Sequence, residues 1–196
     1  MTFRAAVVGT GPDPDNPSGD GYAMGYRHAD AFDASDDVEL VACADIVPEN
    51  ARAFADTYGL DDDAVFENYS EMVATARPDV VSVTVPPAAH AEIVTDCVAA
   101  ESVRAVHCEK PMALTWGGAR EMAAAADEHD VAVTFNHQRR FGRPFRRAKE
   151  LLDDGEIGSL RRVEFSAPNV YDYGSHSFDL SNYYADQSAP EWVLAG

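Results

Sequence analysis

Six short apolar runs, at residues 3–8, 38–44, 65–66, 79–85, 103–108 and 131–135, are separated by stretches with helical spacing. No other feature of the 196-residue chain constrains its fold as tightly. Strands that alternate with helices of about 10 to 15 residues build βαβ units. Runs apolar on both faces belong in a parallel sheet covered on either side. Between the runs, Ala51, Phe54, Ala55 and Tyr58 recur at i, i+3, i+4 and i+7 before Gly59, the spacing of a helix face followed by a stop. Ile93, Val94, Cys97 and Val98 mark another such face, and Ala119, Met122, Ala123 and Ala126 a third, with Thr115 placed to cap it.

In a sheet of this kind ligands bind outside the carboxyl ends of the strands, so the residues that end each run are the candidates for function. The first run meets Gly9-Thr10-Gly11, two glycines of a dinucleotide-binding turn. The third glycine of that pattern is absent two residues on. The turn-forming segment 12–20 intervenes, and a helical pattern carrying Met24, Gly25, His28 and Phe32 starts near Gly21. The spacing therefore reads as a glycine loop with an insertion, in which Gly25 takes the close-packing part. The insertion also brings Asp13, Asp15 and Asp20 towards the place where a pyrophosphate would sit, which is unfavourable unless the loop points away. The second run ends in Asp45, at a distance that suits an acid on an adenosine ribose once the insertion is subtracted.

The fifth run stops at Cys108-Glu109-Lys110-Pro111. Proline cannot donate to a ladder and biases its predecessor away from helix, which puts Lys110 at a strand's C-terminal edge. Lysine is scarce here, since Lys149 is the only other one and every remaining fixed cation is arginine. A partly buried lysine can take part in acid or base work that arginine cannot. Lys110-Pro111 is also a candidate cis bond.

The alternation ends near Asn136-His137. Phe145 to Leu152 then reads as a helix, and 161–165 alternates like a half-buried antiparallel strand. A boundary is expected there, with domains at 1–137 and 138–196. The second is short for an independent core.

Composition bears on partners. The chain carries 34 acidic against 15 basic residues, net −19, a surface that repels nucleic acid and anionic membranes. No apolar run approaches the length of a membrane span, and the N-terminus lacks the succession of a signal peptide, so a soluble cytoplasmic protein is expected. Such an acidic, lysine-poor surface also suits high salt, where screening removes self-repulsion, and a halophilic protein is the expectation. Cys43, Cys97 and Cys108 sit at wide spacing inside apolar runs and indicate buried thiols, with no disulfide framework and no metal site.

Taken in order, the glycine turn, the acid after the second strand, Cys108-Glu109-Lys110-Pro111, Asn136-His137-Gln138-Arg139-Arg140-Phe141 and the segment from Asp172-Tyr173-Gly174-Ser175-His176 to Asp179 form a recognisable series. It resembles the glucose-fructose oxidoreductase and inositol dehydrogenase family, Gfo/Idh/MocA. The resemblance implies a Rossmann doubly wound parallel sheet followed by the start of an α+β domain with an open antiparallel sheet. It also implies a chain longer than this one, so that the second domain, which would bind substrate and form a homo-oligomer, is represented in part. It further implies hydride transfer between NAD, with NADP less favoured, and a sugar, cyclitol or related hydroxy compound. Lys110 matches the lysine of the family's Glu-Lys-Pro motif, and Asp172 and His176 its Asp-x-x-x-His pair, so these three are the candidate catalytic residues. Residues four apart share a helix face, and imidazole can exchange a proton at neutral pH, which agrees with those roles. The candidate cofactor residues are Gly9, Thr10, Gly11, Gly25, Asp45, Pro86, His90 and Glu109. Two other readings stand beside this one: an NAD-using glycosidase of the same family, and a non-catalytic dinucleotide-binding module.

Overall fold

The computed structural model describes residues 2–15, 23–166 and 169–194 and divides into two compact units, Met1–Asn136 and His137–Gly196. Each apolar run of the first unit is a strand. They are β1 (Phe3–Val8), β2 (Val38–Ala44), β3 (Val65–Phe66), β4 (Val80–Val83), β5 (Ala105–Cys108) and β6 (Ala132–Phe135). The helices between them are α1 (Met24–Asp33), α2 (Pro48–Tyr58), α3 (Tyr69–Ala76), α4 (His90–Val98) and α5 (Trp116–His129). The six strands form one sheet in the order β3-β2-β1-β4-β5-β6, and every pairing is parallel.

That order follows from handedness. A right-handed crossover from β1 through α1 to β2 steps one way across the sheet. The chain then returns past β1 to β4 and steps the other way, so its helices cover the opposite face. The packing shows both layers. Tyr26 and Ala29 of α1 join Ala51, Phe54 and Ala55 of α2 against Val7 and Cys43. Met72 and Val73 of α3, Ile93 and Val94 of α4 and Met122 of α5 pack with Ala6, Val8, Val81, Val83 and Val106 on the other side. Gly59 ends α2 in the left-handed conformation, φ 68°, as its position after the last apolar residue of that helix leads one to expect. Thr115 caps α5 by accepting a hydrogen bond from the Gly118 amide. The three cysteines are free and buried, and burial pushes the Cys43 and Cys97 thiols up to about 12.

The strand order reverses between β1 and β4, and the crevice at their carboxyl ends is where this architecture accepts ligands. Gly9, Thr10 and Gly11 follow β1, Asp45 follows β2, Thr84 to Pro87 follow β4, Glu109-Lys110-Pro111 follow β5 and Asn136 follows β6.

The second unit contains α6 (Arg143–Asp153) and α7 (Tyr173–Tyr184) after a short 3-10 turn at Gln138–Phe141. Arg140 donates from both Nε and a terminal nitrogen to the carboxylate of Asp179 and lies over the Tyr183 ring, joining that turn to α7. Lys149 bridges Asp153 and Asp186. The antiparallel strand expected at 161–165 is not formed, and the described residues of this unit contain no strand. The physical reason is that alternation gives a segment two faces but no neighbour. Without a partner to take its amides and carbonyls the segment stays irregular, and Leu160 and Phe165 lie exposed.

Candidate active site

Gly9 and Gly11 both adopt positive φ, 85° and 72°. A side chain at Gly9 would put its Cβ 2.6 Å from Val85 Cγ1 and 2.9 Å from the Val85 amide nitrogen, so the β1 turn runs directly against the segment that follows β4. Three further bonds hold it. The Gly9 amide donates to the Ala44 carbonyl of β2, and the Thr84 hydroxyl donates to the carbonyls of Gly9 (2.6 Å) and Val8 (3.1 Å). Sequence reasoning misses Thr84, whose only signal is a hydroxyl in an apolar run just before a Pro-Pro step.

Gly25 packs beneath the same turn. A Cβ there would lie 2.8 Å from both Thr10 Cα and the Thr10 carbonyl oxygen. The helix that carries Gly25 therefore meets the loop backbone to backbone despite the intervening segment. Of that segment, residues 16–22, which include Asp20, lie outside the described residues. Asp13 accepts the Asp15 amide at 2.9 Å. Burial, and after it the charge of Asp13, pushes the Tyr26 phenol up to about 12.

Asp45 is buried and tied to this loop. One carboxylate oxygen accepts the Gly11 amide (3.0 Å) and the Thr10 hydroxyl (3.1 Å), and the other accepts the Val47 amide (2.9 Å). The carboxylate thus fixes the shape of the turn as well as offering an anion at the end of β2.

Beneath the β5 corner lies a polar array that crosses four elements. His28 of α1 has Nδ1 2.6 Å from Ser82 Oγ of β4 and Nε2 3.1 Å from Glu109 Oε1. Asn136 donates to the same Glu109 oxygen at 2.6 Å, and the Lys110 amide donates to the other at 3.1 Å. A carboxylate only accepts, so Nε2 carries the proton that joins His28 to Glu109. When the ring is neutral, Nδ1 then accepts from Ser82. The 3.2 Å approach of Asn136 Nδ2 to His28 Nε2 is in that case two donors side by side. Ser82, His28 and Glu109 repeat the composition of a hydrolytic triad. Ser82, however, is 0 % exposed in mid-strand and can reach no substrate, so the array holds structure in place.

Titration of this array sets an acid limit on stability. Burial alone would raise the Glu109 carboxyl, yet the hydrogen bonds from His28, Asn136 and the Lys110 amide, with the charge of His28, hold it below its ordinary 4.5. His107 rests on the His28 ring, 5.1 Å between centroids, and shares a 2.8 Å contact with the Thr134 hydroxyl. Burial first, and then the charge of His28, lowers it below its ordinary 6.5. Both groups bind protons less readily folded than unfolded. Their contribution is therefore complete above the unfolded values and is lost as pH falls. Urea melts are expected to show stability declining once pH drops below 6.5 and declining further below 4.5. A profile flat from pH 7 to 4 would refute the assignment of these shifts.

The remaining expected residues fall as follows. Lys110 is half-buried at the β5 end, and the Lys110–Pro111 peptide is cis. Pro86 leads into the turn before α4. His90 is 0 % exposed, with its two ring nitrogens each 2.9 Å from a carbonyl oxygen, of Pro111 and of Val85. Glu109 and His90 thus have their polar atoms engaged by protein groups, inside the fold. In the second unit Asp172 directly precedes α7 and His176 lies in its first turn, buried edge-on against His137 at 5.6 Å. Ahead of this helix the Asn169 side-chain oxygen accepts the amides of Asp172 and Tyr173. Among the described residues no group of three or more His, Cys, Asp or Glu is placed to hold a metal ion, and no helix is long and apolar enough to cross a membrane.

Residues 18–137 match the model of GFO_IDH_MocA, an oxidoreductase family with an NAD-binding Rossmann fold. The inositol 2-dehydrogenase of Rhizobium meliloti is 27% identical over 198 residues, 93% of this chain and 55% of that protein. The D-glucoside 3-dehydrogenase of Escherichia coli is 31% identical over 158 residues, 81% of this chain and 41% of that protein. Among solved structures, scyllo-inositol dehydrogenase from Lactobacillus casei with bound NAD(H) and scyllo-inositol is similar, with TM-score 0.78, 21% identity and coverage of 94% of this chain and 56% of that one. The chain spans about half the length of the curated relatives it matches.

Proposed function

The chain belongs to the Gfo/Idh/MocA oxidoreductase family, with its NAD-binding Rossmann fold, and from that premise we propose that it takes part in hydride transfer between NAD and a carbon bearing a hydroxyl group on a sugar or cyclitol. The observation that carries this reading is the juxtaposition, at one sheet edge, of the Gly9-Thr10-Gly11 turn braced by Asp45 with the Glu109-Lys110-Pro111 corner. The relatives named as dehydrogenases of inositol and glucosides support the substrate class.

The residues present suit a dinucleotide. Two glycines at positive φ leave two of the three turn positions without a side chain, and the Thr10 hydroxyl is turned to Asp45, so a pyrophosphate can approach the backbone. Among the described residues the first turn of α1 has no side-chain cap and no acidic residue, which favours an anion at the positive end of the helix. Asp13 turns into its own loop through the Asp15 amide and lies near Tyr26, which eases the expected conflict with a phosphate. Asp45 would hold the adenosine ribose, and the backbone of Thr84 to Pro87 would border the nicotinamide half.

NAD, when bound, supplies the hydride acceptor. The chain's own residues supply the rest. Lys110 provides a cation for the oxygen that gains negative charge, and His176 accepts the hydroxyl proton, with Asp172 orienting it. Glu109 and His90 serve by holding the backbone of the Lys110 corner.

NAD should bind more tightly than NADP by about tenfold or more, because a buried carboxylate at Asp45 meets a ribose hydroxyl favourably and a 2′-phosphate as a like charge. Ile46 and Val47 follow it, and no arginine stands there to compensate. Fluorescence titration of both nucleotides in one buffer measures the ratio. Equal or tighter NADP binding would refute the role of Asp45, and failure of both to bind would refute the cofactor reading.

A further inference from the structure

The first turn of α1 joins the glycine loop to the Lys110 corner. Gly25 lies at contact distance beneath Thr10, 2.8 Å for a would-be Cβ. Three residues on, and so on the same helix face, His28 reaches Ser82 and Glu109, and Glu109 accepts the backbone amide of Lys110. His28 and Glu109 are 81 residues apart in sequence, and both are nearly sealed from solvent, at 7% and 6% exposure. The three polar links are hydrogen bonds of 2.6, 3.1 and 3.1 Å, and the Gly25 end leaves no room even for a methyl group, so movement at one end has few ways to dissipate.

We propose that His28 is a positioning residue which sets Lys110 through Glu109, and that filling the phosphate end of the dinucleotide site is felt at Lys110 through α1. The inference rests on the dinucleotide reading of the glycine loop. Packing alone accounts for a buried apolar residue at this point of α1. It does not account for a histidine whose two nitrogens are taken up by β4 and by the carboxylate that grips the lysine's amide. Asn136 supports the same carboxylate from the end of β6, so Glu109 is held from two sides and its remaining oxygen is left for Lys110.

The chain's two lysines make this testable without turnover. Reductive methylation with ¹³C-formaldehyde keeps both charges and gives each lysine an NMR signal, assigned with Lys149→Arg. The ligand is ADP, which carries the adenosine and both phosphates but no nicotinamide end to touch Lys110 directly. In the wild type, saturating ADP should shift the Lys110 signal and leave that of Lys149, in the second unit, in place. In His28→Ala the shift should fall by roughly half or more, with ADP affinity changed by less than about threefold. His28→Gln, whose amide can donate to Glu109, should restore it. An unmoved Lys110 signal in the ADP-saturated wild type overturns the inference, as does an undiminished shift in His28→Ala. Should His28→Ala fail to fold, Ser82→Ala loosens the ring and spares Glu109. A diminished shift in that variant then supports the inference, and an undiminished one overturns it. ADP that does not bind at all refutes the dinucleotide reading, and the inference with it.

Discussion

Replacing Lys110 with methionine should lower turnover by at least about 100-fold, the scale of a lost electrostatic or proton-transfer group. NAD affinity should stay within about threefold, because the groups proposed to hold the dinucleotide are the β1 turn, the α1 amides and Asp45. Methionine preserves the length and the apolar stem of lysine, so the half-buried position is still filled. What disappears is the cation at the end of β5. Initial rates with NAD and a panel of cyclitols and sugars, paired with NAD titration of each protein, separate the outcomes. A variant that keeps more than about a tenth of wild-type turnover would remove Lys110 from the chemistry. Loss of turnover together with loss of NAD binding would make it a cofactor residue.

The second large effect concerns stability. Glu109→Ala removes the one acceptor shared by His28, Asn136 and the Lys110 amide, and leaves one buried and two partly buried donors without it. Removing a buried carboxylate and leaving its hydrogen-bond donors without an acceptor costs about 3–5 kcal/mol, chiefly because those groups stay desolvated. For a chain of this size the loss corresponds to a melting temperature lower by on the order of 10 °C. Glu109→Gln keeps an acceptor oxygen and should lose less. Thermal melts of the two variants against wild type measure this. Equal stability of Glu109→Ala and wild type would mean that water or rearrangement satisfies the array, and it would weaken the case for His28 as well.

The first unit is legible in the sequence because its signals are local and repeated. Each strand ends in a residue with its own chemistry, and the alternation with helical periods admits few topologies. Gly25 can be picked out as the packing glycine despite the insertion, since it opens the helical pattern with Met24 and His28. Asp45 follows from its place at the end of the second strand. The polar array is not legible. Ser82 looks like a small interruption of an apolar run, and His28 like one polar residue on a helix. Asn136 reads as a crossover residue. Their partners lie 27 to 108 residues away and meet only when the strand order folds β4, β5 and β6 side by side over α1. His90 suggests a solvated helix start or a cofactor contact, whereas its ring is enclosed by two backbone carbonyls. In the second unit, 161–165 carries the pattern of a strand without a partner, and pattern alone cannot supply one.

The contact between Gly25 and Thr10 also bears on how this lineage can change. Thr10 and Gly25 touch backbone to backbone, so the sequence between them is closed off at its two ends as by a clasp. Lengthening such a segment costs only about 0.6 kcal/mol for each doubling. Neither the strand before it nor the helix after it needs to move. Selection on the enclosed sequence is thereby separated from selection on the scaffold. Insertions, deletions and charge changes can accumulate between Gly11 and Gly25 while the clasp itself tolerates no added carbon, and a peptide tag or reporter spliced there would start from the same freedom.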